Sequence, residues 1–144
     1  GTFMQMLTAD EYAFLAELAT AYRNEHLPVI KQGKGWNPHL GVDALCFQHH
    51  ADGGMVGALI TPCELSLVKV PDQTCLTEPV ADSLKLLLPS GIYWLSLDRL
   101  PKGHVFYKRV ILSDVSDLES MQEAARLAQH MMSRLMQPTE EIST

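Results

Sequence analysis

Pro62, Pro71 and Pro89 cut the apolar middle of this chain, residues 57–100, into short runs, and this constrains the fold more than any other feature. Proline fixes φ and brings no N–H to a ladder, so a proline between two apolar runs marks a strand end or an edge. Thr61-Pro62 joins one pair of β-type runs and Pro89-Ser90-Gly91 joins another. The strands expected are 42–50, 55–61, 63–70, 84–88, 91–98 and 104–112, with Asp52-Gly53-Gly54 as a hairpin turn.

Helical signals flank this region. Thr8-Ala9-Asp10-Glu11 has the form of a capping box, and Phe14, Leu15, Leu18 and Tyr22 follow at helical spacing. Pro28 is expected to end that helix, and 31–41, rich in Gly and Asn, to form a loop. Ser116-Asp117-Leu118-Glu119 has the same box form and is expected to open a longer closing helix to about Met136. The interrupted stretch 71–82 has room for a short helix after Pro79, and the tail 138–144 is expected to be flexible. The expected fold is therefore α+β. One domain, 1–137, holds an antiparallel meander of five or six short strands, with an N-terminal and a longer C-terminal helix packed on it.

The chemistry-bearing residues are sparse. Cys46, His49 and His50, with Cys63, come nearest to a metal cluster. Period-two alternation puts Cys46 and His49 on opposite faces, where tetrahedral zinc needs convergence. Cys63 and Cys75 have no nearby base or helix N-terminus to activate a thiol. No catalytic, metal or cofactor residues are therefore assigned, and Cys46, Cys63 and Cys75 are expected to form no disulfide. A formal net charge of −6 lacks the basic footprint of a nucleic-acid binder. No apolar run is long enough for a membrane span, no secretory signal is expected at the start, and the odd cysteine count suits a reducing cytoplasm.

The residues that suit a partner are apolar. Along 91–98, Tyr93, Leu95 and Leu97 form one apolar face, while Ile92, Trp94, Ser96 and Asp98 fade from apolar to polar. Trp94 then stands beside Ile92 on a partly covered face, or beneath one of the two helices. Trp36, in the Gly/Asn/Pro loop, is a second candidate anchor. In the last helix, Leu118, Met121, Ala125, Ala128, Met132 and Leu135 suffice for a core face. Leu127 and Met131, and Met136 less clearly, are left for core or for a methionine-rich partner surface.

The run LITPCELSLVKVP (59–71), the run LLLPSGIYWLSLDRL (86–100) and the closing FYKRVILSDVSDLESMQEAARLAQHMMSRLM (106–136) together resemble the nickel–iron hydrogenase assembly chaperone family, of the hydrogenase-2 operon accessory type. The resemblance implies a non-catalytic cytoplasmic chaperone. Its partners would be immature hydrogenase subunits: the small subunit with its twin-arginine signal peptide, the large subunit, or both, held before export. Some proteins of this type carry a rubredoxin module with paired CxxC motifs. Neither motif is present, so no iron is expected. The rival reading is a metal carrier or thiol-dependent accessory protein working through Cys46, His49 and His50, or Cys63.

Overall fold

The computed structural model describes residues 6–72 and 80–138; Cys75 and the segment after Pro71 that had room for a short helix fall largely outside them, as does most of the tail. The first helix, α1 (Ala9–Gln32), begins at the expected box. The Glu11 amide donates to Thr8 Oγ1 at 3.1 Å, and the Thr8 amide donates to Glu11 Oε1 at 2.8 Å. Leu15, Leu18, Ala19 and Tyr22 make its buried stripe. Pro28 does not end it. The helix continues four residues beyond, because its packed turns are already complete at Tyr22. Asn24, Glu25 and Pro28 are exposed there, so water can satisfy the carbonyl that proline leaves without a donor.

Six strands follow: β1 (Asp43–His49), β2 (Met55–Ile60), β3 (Leu65–Val70), β4 (Ser83–Leu88), β5 (Gly91–Arg99) and β6 (Val105–Leu112). All pairings are antiparallel, but the sheet is not one meander. Its order is β1-β2-β3-β6-β5-β4, so two three-stranded meanders meet along β3 and β6. Sequence pattern finds strands from local turns and cannot see this non-local pairing. The register also shifts between β3 and β6, at Leu65 and Ser66, and there is a bulge in β1, where the register to β2 shifts between Leu45 and Gln48. Cys46 sits in it at φ 59, a left-handed conformation that costs a non-glycine residue about 1–2 kcal/mol. The bulge rephases the strand, so period-two alternation from Cys46 to His50 does not hold.

Each face of the sheet carries one helix. On one side Leu15, Leu18 and Tyr22 of α1 pack with Leu59, Val68, Val70 and Phe106. On the other, the second helix, α2 (Met121–Leu135), packs Ala124, Ala128 and Met132 against Val56, Ala58, Leu67, Leu86, Leu95 and Tyr107. The sheet curls around α2. The Ser90 amide at the β4–β5 turn donates to the Leu135 carbonyl at 3.2 Å. His50 Nε2, just past β1, donates to the Leu87 carbonyl of β4 at 2.9 Å, so the two ends of the sheet come within one hydrogen bond.

The lengths of the helices reverse the expectation: α1 has 24 residues and α2 has 15. The closing helix starts at Ser120, whose Oγ accepts from the Glu123 amide at 3.1 Å, rather than at Ser116. Residues 115–118 are committed to a turn, because Asn37 Nδ2 donates to the carbonyls of Val115 at 2.9 Å and Leu118 at 2.7 Å. Ser116 instead donates its amide and hydroxyl to Asp114 Oδ1. These bonds hold the Asp114 carboxyl below its usual range. Ser120→Ala is therefore expected to cost ~1 kcal/mol, lowering the melting temperature by a few degrees. Ser116→Ala is expected to leave the melting curve nearly unchanged.

Candidate partner-binding site

The register assigns Ile92 and Trp94 to the α1 side of the sheet. Leu87 pairs with Ile92, Lys85 with Trp94, and Ser96 with Lys108. The intervening residues Leu84, Leu86, Tyr93 and Leu95 face α2 and the core. The α1 side loses its cover along β6. Phe106 is wholly buried against Tyr22, with ring centroids 6.2 Å apart. Lys108 is half-buried and donates to the Tyr22 hydroxyl at 2.9 Å. Two residues on, Val110 is exposed. Neither helix reaches β4 and β5 on this side, which leaves Trp94 57% exposed, Ile92 56% and Leu87 53%.

The β5–β6 ladder also ends here. Its recorded pairs run from Arg99↔Val105 to Ser96↔Lys108. Beyond that point β5 continues beside β4 only, and β6 beside β3 only. Of the described residues, Leu87, Ile92, Trp94, Val110, Ile111 and Leu112 are all large, apolar and exposed, and all lie at this fork or next to it. Arg109 Nη1 reaches across it to the Trp94 carbonyl at 3.3 Å. Of these apolar residues, Leu87 and Ile92 are register partners and Trp94 follows on the same face, the kind of exposed apolar group that a partner surface needs.

The other candidate residues lie elsewhere. Trp36 is half-buried at the end of α1, with Lys31 Nζ 5.8 Å from its ring centroid. Leu127 and Met131 pack half-buried against the core cluster on the α2 side, opposite Trp94, so the methionine-rich surface is largely core. Sequence reasoning missed Leu87, Arg109 and Val110. The unbroken leucine run 86–88 hides any alternation, although the consecutive Val110-Ile111-Leu112 at a strand end was a usable signal.

The cysteine and histidine set is not gathered into one site. His49 faces α1, and its Nε2 lies 2.7 Å from Glu11 Oε2. Thr8 and then His49 hold the Glu11 carboxyl below its usual range. This pair walls a cleft of about 580 Å³ that also takes in Asp10, Met55 and Val70. Burial pushes the Cys46 and Cys63 thiols up, with Glu64 adding to the effect on Cys63, which is the opposite of an activated nucleophile.

His50 Nδ1 accepts from buried Lys69 Nζ at 2.8 Å, and the Gly53 carbonyl accepts from the same ammonium. Burial pulls Lys69 from an ordinary 10.5 down to about 8, against a smaller upward pull from Asp52. Between these values the unfolded chain binds more protons than the folded one, so stability rises with pH there. The wild-type denaturant midpoint is expected to gain from pH 8 towards 10.5, and Lys69→Met to lose that gain.

The family described as "[NiFe]-hydrogenase assembly, chaperone, HybE" matches residues 13–144 of the sequence. No curated protein matches it significantly. The solution structure of HybE from Escherichia coli is similar in fold, with a TM-score of 0.64 at 22% identity, over 85% of this chain and 76% of that one.

Proposed function

The chain belongs to the nickel–iron hydrogenase assembly chaperone family, HybE type, and from that membership we propose that it is a non-catalytic cytoplasmic holder of immature hydrogenase subunits. Its clients are the small-subunit precursor with its twin-arginine signal peptide, the large subunit awaiting metal, or both. The exposed apolar face of Leu87, Ile92, Trp94 and Val110 carries this reading. A holder needs apolar surface that a client covers while unassembled and abandons once its own core closes, and it needs no reacting group. Among the described residues, no helix is long and apolar enough to cross a membrane.

A central tryptophan commonly contributes more than ~2 kcal/mol to an interface, about thirtyfold in affinity. Trp94→Ala is expected to reduce capture of hydrogenase precursors by at least that factor. Because the side chain is more than half exposed, the same variant should melt close to wild type. Pull-down of the small- and large-subunit precursors, with thermal unfolding of the same protein, checks both halves. Normal capture by Trp94→Ala would remove this face from the function.

A further inference from the structure

We infer that the fork between β5 and β6 takes an extended apolar segment of the client, one that carries a carboxylate to meet Arg109. This rests on the reading of the Trp94 face as the client surface and adds the chemistry of what binds there.

The backbone argues for an extended segment. Leu88 and Gly91 close the two-residue turn between β4 and β5 as a pair, and the Leu97 amide donates to the Asp82 carbonyl at 2.9 Å. Odd-numbered residues of β5 therefore bond towards β4, and the even-numbered Ile92 and Trp94 present their backbone groups towards β6. Past Ser96↔Lys108 no β6 residue pairs with them. Among the described residues, only the Arg109 side chain answers there, at the Trp94 carbonyl. A strand laid along 92–94 would pair with these groups and set alternate apolar side chains against Ile92, Trp94 and Val110, the logic of strand addition. The outer edges of the sheet suit this less. β1 is broken by the Cys46 bulge, and the Leu87 carbonyl of β4 is held by His50.

The charge of the segment follows from an asymmetry. The whole chain is acidic at −6, yet 83–95 and 108–112 contain Lys85, Lys108 and Arg109 and no carboxylate. Lys108 already faces Tyr22 and, at 3.8 Å, Glu64. Lys85, exposed on β4, lies across β5 from the fork, whereas exposed Arg109 already reaches into it at the Trp94 carbonyl. An incoming carboxylate would draw Arg109 off the Trp94 carbonyl and release that oxygen to accept an N–H from the bound strand.

The test uses the full chain and two synthetic peptides of alternating valine and threonine, one with a central glutamate and the other with lysine in its place. The glutamate peptide is expected to shift the amide resonances of Ile92, Trp94 and Val110 and to bind about tenfold more tightly than its counterpart. Added salt should narrow the gap, and Arg109→Glu, an exposed substitution, should reverse the preference. Equal binding, no binding by either peptide, or shifts confined to other elements overturns the inference. So does a free protein that sediments as a dimer with the fork amides already protected, since the occupant is then a second copy. If precursor capture depends on Trp94 while the peptides are not discriminated, only this inference falls. If capture ignores Trp94, the client surface itself falls.

Discussion

Asn37→Ala is expected to destabilise the fold by ~3 kcal/mol and to lower its melting temperature by roughly 10 °C. Asn37 is buried, and its two side-chain N–H groups satisfy the carbonyls of Val115 and Leu118, which lie far away in sequence. Its Oδ1 accepts from the His39 amide at 2.9 Å, and its own amide donates to the Pro62 carbonyl at 2.9 Å. Truncation takes the donor from the Leu118 carbonyl at the entrance to α2 and leaves the buried Val115 carbonyl with the Leu118 amide alone, at 3.2 Å. Each such loss costs about 1–3 kcal/mol. The damage should be local first, with α2 amides exchanging faster than those of β2 and β3. Asn37→Asp should be at least as harmful, since a carboxylate there faces carbonyls instead of bonding to them. A melting curve within a degree or so of wild type would mean that residues 115–118 hold themselves.

The second large effect is expected from Gly57→Val. Gly57 lies in β2 on the α1 side, and a Cβ built there would stand 2.3 Å from the Phe47 ring. Phe47 occupies the space that the missing side chain leaves, and it packs against the cluster under α1. Valine must expel that ring, and overpacking of this kind costs about 3 kcal/mol or slightly less. Phe47→Ala alone should also destabilise, by removing apolar burial. The two changes share one space, so the double variant should be more stable than the sum of the single losses implies. Strict additivity in chemical denaturation would show that Gly57 and Phe47 do not compete.

The strands were legible in the sequence because their ends are written locally, in Pro62, Gly53-Gly54 and Pro89-Ser90-Gly91. The exposure of Trp94 was half legible. Alternation chose its face, but the limited reach of α1 and α2 decided that it stays more than half exposed. The start of α2 was misread for a non-local reason. Ser116 and Ser120 each have a glutamate three residues on, and Asn37, on the other side of the chain, decides between them. Pro28 was misread because a proline's cost depends on burial that the sequence does not display. The fork could not be read at all, since it exists only where β6 leaves β5 while remaining beside β3.

The seam between β3 and β6 also bears on how the chain acquires its structure. Within each meander, neighbours in sequence are neighbours in space, so β1-β2-β3 and β4-β5-β6 can zip from their turns on a microsecond scale. The seam must wait for the whole β4–β5 hairpin to be placed, and the entropy of closing that loop is lost before any seam contact repays it. Until then β3 and β6 are both bare edges, carrying Leu67, Val68, Phe106 and Tyr107, residues that the finished protein hides almost completely. The vulnerable species that this topology predicts is a pair of preformed sheets. Substitutions at Val68 or Phe106 should slow refolding more than equally destabilising ones in the β1–β2 hairpin. A member of an assembly-chaperone family is thus expected to pass through a stage in which two of its own most buried strands lie open to edge pairing.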